Sequence, residues 1–379
     1  MKMNEITACK ALFFCISFLV GLWAIRIPDV KDLISADYTE MSYTFIFFSV
    51  GSLITMVLAP KIISKYSSKN ISLLAGCLIC FLWLIVPFNN NFFLMLILSL
   101  VFGACYGIFE VILNLQASNL EKKYKKTMMS GIHAFWSIGL LSGSFLTSLF
   151  LEYQISFIFN ALIFVIIILP IIYTASLTLI SNTNSDQKQS YSVFFKWPLT
   201  IIIFVFFSIT SVFFEGGTDS WGALYMRDYI KAVGFKIGLA AIFFNGSMVI
   251  GRLIGDKLKD QLGIYNFLKI SIILALIGSL CVSLSSNLYL SIIGFTFAGF
   301  GISSIIPICY TLASSVKNLD PTLGITIITI AVYGFFMIAP SAMGYIANNY
   351  GVQFVYFPIF LFFIISTLIA IFSKSLKAT

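Results

Sequence analysis

Apolar segments of about 20 residues recur along the whole chain and are separated by short polar breaks. A helix of that length can cross the hydrocarbon core of a bilayer. Of the 379 residues, 59% are hydrophobic and only 10% are charged, which leaves too little polar surface for a soluble globule of this size. The sequence therefore predicts an all-α integral membrane protein.

Division of the chain at its polar breaks predicts twelve membrane spans. The first resembles a signal peptide, but no small-x-small cleavage site follows it, so we interpret it as an uncleaved span. The predicted spans cover residues 8–26, 42–60, 71–88, 92–118, 131–151, 155–178, 197–217, 237–255, 265–285, 288–314, 322–343 and 354–373.

Basic residues are unequally divided between the two sides of the predicted bundle. Eighteen of the 23 Lys and Arg residues fall on the side that both termini share. The positive-inside rule then places both termini in the cytoplasm and explains the net charge of +8. No basic stripe with interleaved aromatics occurs, so no nucleic-acid partner is predicted. A four-acid loop is predicted on the outer side, with Asp29, Asp32, Asp37 and Glu40.

A polar stretch from Ser181 to Ser192 separates spans six and seven and is typical of a flexible linker. An offset of 196 residues relates matching positions before and after it, which favours an internal duplication. The prediction is two pseudo-symmetric six-helix halves, residues 1–178 and 197–379, joined by a cytoplasmic linker at 179–196. The matched pairs are Gly103 with Gly299, Ala117 with Ala313, Ser118 with Ser314, and Lys61 with Lys257.

Glu110 lies within an apolar segment, where an ionised carboxylate is costly unless it is paired, protonated or facing water. Asn114 follows it by four residues and shares its face of span four, and His133 enters span five at a similar depth. We predict that Glu110 and His133 couple to protons and that Asn114 contacts substrate. The alternative is structural: Glu110 is satisfied by Asn114, and His133 is an ordinary interfacial group.

Glu215 and Asp219 are also four residues apart, at the predicted outer end of span seven. Gly216 and Gly217 between them are predicted to let the helix unwind. Both acids are candidate substrate-binding residues. Four residues at the outer ends of spans one and seven share that predicted role: Trp23, Arg26, Trp221 and Tyr225. The alternatives are an interfacial aromatic belt and an extracellular salt-bridge set of Asp219, Arg227 and Asp228.

Span ten is rich in small residues, which favours close helix packing over ligand contact and predicts a kink. These residues, with one proline, are Gly294, Gly299, Gly301, Ser303, Ser304 and Pro307.

The sequence GRLIGDKLKDQLG, between predicted spans eight and nine, resembles the loop signature of the major facilitator family. The resemblance implies the family's fold and a gating role for this loop at the cytoplasmic face. The residues to which it gives that role are Gly251, Arg252, Gly255, Asp256, Lys257 and Gly263. The matching stretch of the first half, residues 59–69, has Pro60 in place of the Asp.

A narrower resemblance is to the fucose-permease-like branch, and within it to YbjJ-like bacterial inner-membrane proteins. It is carried by WAIRIP (residues 23–28), FEVILN (109–114), GIHAFWSIG (131–139) and EGGTDSWGALYMRD (215–228). In that branch a Glu followed four residues later by an Asn helps bind sugar and proton, which implies this role for Glu110 and Asn114. Residues 8–25 contain no acid to match the first-helix Asp of the sugar symporters, so sugar specificity does not transfer.

These features predict a secondary active transporter that carries a small polar solute, sugar-like, in symport with H+ by alternating access. Na+ is left open as the coupling ion, and efflux of drugs or metabolites is the alternative function. A membrane-embedded enzyme or sensor is disfavoured, because the single His is far in sequence from every Cys and no sizeable polar domain occurs. No GxxxxGK phosphate loop occurs, and we expect no cofactor, no metal site and a monomer.

Overall fold

The computed structural model describes residues 3–125, 128–180, 197–316 and 321–373. In this part of the chain twelve helical segments are long and apolar enough to cross a membrane, which confirms the twelve predicted spans. Span ten comprises two helices, α10 and α11. The helices are α1 Glu5–Leu33, α2 Tyr38–Lys65, α3 Ser68–Ile85, α4 Phe92–Tyr124, α5 Met129–Glu152, α6 Phe157–Thr178, α7 Leu199–Leu224, α8 Leu239–Leu262, α9 Ile264–Leu284, α10 Leu288–Ile302, α11 Ile305–Ala313, α12 Pro321–Tyr350 and α13 Phe357–Phe372.

The first two helices leave almost no loop between them. Helix α1 continues through Asp29 and Asp32 to Leu33, and Asp37 caps the start of α2 by accepting the backbone N–H of Glu40. The Glu40 carboxylate accepts the N–H of Asp37 in return, so the two acids form a capping box. The predicted four-acid loop is therefore wrong: Asp29, Asp32 and Glu40 are helical, and Asp37 is the N-cap of α2.

The described residues form two compact units. Unit 1 contains the chain up to residue 180 together with Val233–Gly238, and unit 2 contains the rest, from residue 197. Most of the predicted linker, from residue 181 to 196, lies outside the described residues.

The same helix pairs pack in both units. In unit 1, α1 packs on α5, α2 on α4, and α3 on α6. In unit 2, α7 packs on α12, α8 on α10, and α9 on α13. Each helix of unit 1 lies about 196 residues before its equivalent, so the offset from the sequence holds across all six spans.

Two equivalent glycines show this correspondence in atomic detail. A Cβ at Gly103 of α4 would overlap the backbone carbonyl oxygen of Phe48 in α2. A Cβ at Gly299 of α10 would overlap the carbonyl oxygen of Phe244 in α8, and both members of the second pair lie 196 residues after the first. Only glycine permits so close an approach of two helix backbones.

Span ten is broken as its sequence predicts. Helix α10 ends at Ile302, a turn contains Ser303 and Ser304, and α11 begins at Ile305. The Ser303 hydroxyl donates to the carbonyl of Phe300 at 2.7 Å, which satisfies one carbonyl at the break. The equivalent part of α4 is continuous helix.

The second part of the segment between α7 and α8, Val233–Gly238, belongs to unit 1. The backbone N–H of Phe235 donates to the Glu152 carboxylate at the end of α5, at 2.8 Å. The Phe235 ring meets that of Phe145 edge to face, with centroids 5.6 Å apart. A left-handed turn at Gly234, with φ +59°, brings the chain to this position.

Candidate functional site

Helices α4 and α5 bring three of the predicted site residues of unit 1 together. The side-chain amide of Asn114 donates to the backbone carbonyl of Glu110 at 3.0 Å. Its oxygen lies 3.1 Å from Nε2 of His133. At 1.5 Å per residue, Glu110 is about 27 Å from the start of α4 and about 21 Å from its end, which is the middle of a span.

The hydrogen-bond geometry determines which ring nitrogen of His133 carries a proton. Because the Asn114 amide nitrogen is committed to the Glu110 carbonyl, the atom facing His133 is an oxygen, which only accepts. Nε2 of His133 must therefore carry a proton, and any change in its charge occurs at Nδ1. The ring also packs on Phe13 of α1, with centroids 4.8 Å apart.

The equivalent positions of unit 2 are also in contact. Tyr310 and Thr329 lie 196 residues after Asn114 and His133, and the Thr329 hydroxyl is 3.3 Å from the Tyr310 hydroxyl. The position of Glu110 is taken by Ile306. The duplication thus retains a hydrogen bond between two helices here but lacks the carboxyl and imidazole groups.

Unit 2 has a charged cluster on α7 and α8 instead. The Arg252 guanidinium lies 4.0 Å from the Glu215 carboxylate, with 42% and 27% of their side chains exposed. Asp219 is one turn further along α7, beside the amide of Asn245 on α8. Its Oδ1 is buried and has no hydrogen-bond partner among the described residues.

The predicted gating loop is a helix. Helix α8 extends to Leu262, so Arg252, Asp256 and Lys257 are helical and only Gly263, with φ +77°, forms the turn. Gly251 and Gly255 let α8 approach Ser303 and Ser304 in the break of span ten. The predicted loop is wrong because a charged residue need not lie in a loop: Arg252 pairs within the unit, and Asp256 pairs with Lys259 at 3.0 Å.

The predicted unwinding of span seven is also wrong. Helix α7 continues past Gly216 and Gly217 to Leu224, and a π-helical turn then covers Tyr225–Tyr229. A Cβ at Gly217 would meet the Met343 side chain at 2.9 Å, and one at Gly216 would meet Phe336 at 3.2 Å. These glycines therefore permit close packing on α12.

Trp221 and Tyr225 are completely buried in unit 2, where neither lies in a lipid-facing belt. The Trp221 indole N–H donates to the Pro340 carbonyl at 3.0 Å, and the Tyr225 hydroxyl donates to the Val282 carbonyl at 2.8 Å. Both side chains hold this part of span seven against neighbouring helices. Because both are buried, a substrate does not reach either of them in this structure. Their predicted substrate contact remains a prediction.

Trp23 and Arg26 are held within unit 1. Arg26 is 2% exposed and donates to the Asn160 side chain at 3.0 Å and to the Ile155 carbonyl at 2.8 Å. Trp23 contacts the rings of Trp83 and Phe45. The guanidinium thus ties α1 to α6, and the predicted substrate contact of Trp23 and Arg26 remains a prediction.

Sequence reasoning missed three members of these clusters. Asn245 is an isolated amide in an apolar segment, which could have marked it as a partner for an acid. Tyr310 and Thr329 follow from applying the 196-residue offset to Asn114 and His133. The pairing of Arg252 with Glu215 carried no signal, because it depends on how α7 and α8 pack.

Comparison with known proteins supports this architecture. A transporter of Yersinia pestis, named as uncharacterised and of the major facilitator type, is 27% identical over 347 residues, covering 91% of this chain and 89% of the relative. The glucose/mannose transporter GlcP of Bacillus subtilis is 25% identical over 329 residues, covering 80% and 78%. The crystal structure of the nucleoside transporter NupG superposes with a TM-score of 0.78 at 14% identity, covering 97% and 98%, a likeness that shows the fold.

The sequence model of the Major Facilitator Superfamily matches residues 11–320. The match covers well over half of the chain, in agreement with the twelve spans and their duplication. The protein is therefore a multi-pass membrane transporter that belongs to the Major Facilitator Superfamily.

Proposed function

We propose that the protein is a secondary active transporter that moves a small polar solute together with a proton, and that Glu110, Asn114 and His133 carry the coupling. The observation that carries the proposal is the hydrogen bond from His133 to Asn114, beside the Glu110 backbone, in the middle of span four.

Placing an ionised carboxylate at this depth in the membrane is unfavourable in free energy, and protonation of the carboxylate removes this penalty. An ionised Glu110 in a membrane span is unfavourable unless a partner or water compensates its charge. The proton on Nε2 of His133 is held by Asn114, so the imidazole can gain or lose its second proton while its orientation is kept. Solute that hydrogen-bonds Asn114 would disturb this arrangement and so link its own binding to the protonation of Glu110 and His133.

The proposed cargo is a neutral, hydroxyl-rich molecule such as a sugar or a nucleoside. The unit contains an amide and an imidazole at the site, which suit hydroxyl groups better than a strongly charged substrate. The similarity to a glucose/mannose transporter and the fold shared with a nucleoside transporter support this class. Membership of the fucose-permease-like and YbjJ-like groups is part of the proposal.

The proposed location is the bacterial inner membrane with both termini in the cytoplasm. It rests on the excess of Lys and Arg on the side that the termini share. We propose import by a monomer, in which the site opens first to the outside and then to the cytoplasm.

The test is uptake into proteoliposomes. A thermal-shift screen of glucose, mannose, fucose and nucleosides first identifies a solute that stabilises the purified protein. Uptake of that solute is then measured under three conditions: with no proton gradient, with an inward proton gradient, and with an outward proton gradient. We expect concentrative uptake to require the gradient and to be lost in Glu110→Gln, which keeps the size of the side chain but has no titratable group.

Glu5→Gln is the matched control, because Glu5 is paired with Lys123 near the start of α1 and lies outside the site. It should retain the uptake of the wild type. Equal concentrative uptake by wild type and Glu110→Gln would refute the coupling role. Accumulation only when the gradient is reversed would instead show proton-coupled efflux.

A further inference from the structure

The charged cluster of unit 2 has one uncompensated negative charge. Its ionisable members are Glu215 and Asp219 on α7 and Arg252 on α8, two carboxylates and one guanidinium, of which Arg252 pairs with Glu215. Asp219 is about 15 Å before Tyr229, and Arg252 is about 15 Å before Leu262, at 1.5 Å per residue. All three are therefore well inside their spans.

Among the other described α-helices of unit 2, only α9 carries a charged residue, Lys269, which lies about 8 Å from the start of that helix. Helices α10, α11, α12 and α13 contain no Asp, Glu, Lys, Arg or His. In the π-helical turn after α7, Arg227 and Asp228 pair with each other at 2.6 Å beyond the cluster. The four charged residues of α8 that follow Arg252 have opposite signs and cancel: Asp256, Lys257, Lys259 and Asp260.

The tyrosines nearby are already engaged. The Tyr356 hydroxyl donates to the Gly217 carbonyl at 3.2 Å, and the Tyr225 hydroxyl donates to the Val282 carbonyl at 2.8 Å. The buried Oδ1 of Asp219 has no donor among the described residues. A buried carboxylate oxygen without a donor, in a cluster of net charge −1, is the environment that a single cation or proton would stabilise.

We propose that Glu215 and Asp219 bind one monovalent cation, H+ or Na+, and that Arg252 competes with this cation for Glu215. The Asn245 amide donates one N–H to the Ala241 carbonyl at 3.0 Å and meets the Asp219 carboxylate with the other, which leaves Oδ1 of Asp219 without a donor in the described part of the chain. At 4.0 Å the contact between Arg252 and Glu215 is longer than a hydrogen bond, and 42% of the Arg252 side chain is exposed. The Glu215 carboxylate would bind either the cation or the Arg252 guanidinium, but not both at once.

This inference rests on the proposed cation coupling and adds a second site to it, in the unit whose α11 and α12 lack Asp, Glu, Lys, Arg and His. It also gives Arg252 a role in charge balance in place of the gating role predicted from sequence.

The test needs no solute, so its failure is distinguishable from failure of the proposed transport. One arm measures the thermal unfolding midpoint of the purified protein as NaCl replaces choline chloride at constant ionic strength. The other records infrared difference spectra during a pH titration, in which a protonated carboxyl shows a C=O stretch that a carboxylate lacks.

A Na+ site predicts a rising midpoint in the wild type and no rise in Asp219→Asn. A proton site predicts a C=O stretch near neutral pH that persists in Glu110→Gln and disappears in Asp219→Asn or Glu215→Gln. If Na+ has no effect and no such stretch is assigned to these two acids, the proposal is overturned.

Arg252→Gln tests the competition. The variant leaves the cluster with a charge of −2, so the cation should bind about tenfold or more tightly, or the C=O stretch should persist to a pH about one unit higher. Arg227→Gln is the matched control, because Arg227 pairs with Asp228 beyond the cluster, and it should leave both readouts as in the wild type. Weaker cation binding in Arg252→Gln would contradict competition.

Discussion

The two units share a helix arrangement but place their charges on different helices. In unit 1, Glu110 and His133 lie on α4 and α5, and the equivalent positions of unit 2 hold Ile306 and Thr329. In unit 2, Glu215, Asp219 and Arg252 lie on α7 and α8. Their equivalents in unit 1 are Leu19, Trp23 and Met56.

The difference shows which features a duplicated bundle retains. The backbone contacts of Gly103 and Gly299 are the same in both units, because helix spacing leaves no room for any side chain there. Side chains that face the interior of a unit can change as long as their polar groups remain satisfied. Packing is thus repeated, whereas ionisable chemistry is assigned to each unit separately.

The largest expected effect concerns the repeated packing. Gly103→Ala and Gly299→Ala would each force two backbones apart, so we expect each to lower the free energy of unfolding by about 2–3 kcal/mol. Denaturant unfolding in detergent measures the change. Gly246→Ala in α8 is the control, since a Cβ at this position would have no neighbouring atom within 4 Å, and it should stabilise by about 0.5–1 kcal/mol. If only one of the two substitutions lowered the free energy of unfolding, the two units would not share this packing.

The next prediction compares the contact of Asn114 with His133 in unit 1 with the equivalent contact of Tyr310 with Thr329 in unit 2. Asn114→Leu removes the acceptor of His133 and the link to Glu110, so we expect initial concentrative uptake to fall about 10- to 100-fold. Tyr310→Phe removes the hydroxyl contact with Thr329, where no ionisable group depends on it, and should change uptake less than about threefold. Uptake is normalised to folded protein measured by size-exclusion chromatography. Equal losses would mean that the neutral pair also carries coupling.

The smallest expected effect concerns the side-chain hydrogen bonds that join the first helix of each unit, α1 or α7, to its neighbours. Unit 1 ties α1 through Arg26, whereas unit 2 ties α7 through Trp221 and Tyr225. Trp221→Phe and Tyr225→Phe should each lower the free energy of unfolding by about 1 kcal/mol, because a buried carbonyl loses its donor. The KM for solute in proteoliposomes should stay as in the wild type. A raised KM would show that these aromatics contact substrate, as the sequence predicts.

Helix content and span number followed from the sequence because the cost of unpaired backbone groups in lipid permits few alternatives. Helix ends did not follow. Helices α1 and α8 extend through Asp29 and Arg252, since a charged side chain that finds a partner within its unit need not lie in a loop.

The candidate site was partly visible in the sequence. The four-residue spacing of Glu110 and Asn114, like that of Glu215 and Asp219, places each pair on one helix face. The partners on other helices were not visible, because sequence periodicity does not say which face of α8 meets α7. Asn245 and Arg252 therefore became part of the second cluster only in the folded unit.

The sequence by itself determined a twelve-span duplicated membrane protein with acids in its spans, because apolar length, lysine placement and the 196-residue offset are properties of the chain alone. Tertiary structure decided which polar groups meet: His133 with Asn114 in one unit, and Arg252 with Glu215 in the other. The physical reason is that a helix presents several faces, and packing at small residues such as Gly251 and Gly299 selects the face that turns toward each neighbour.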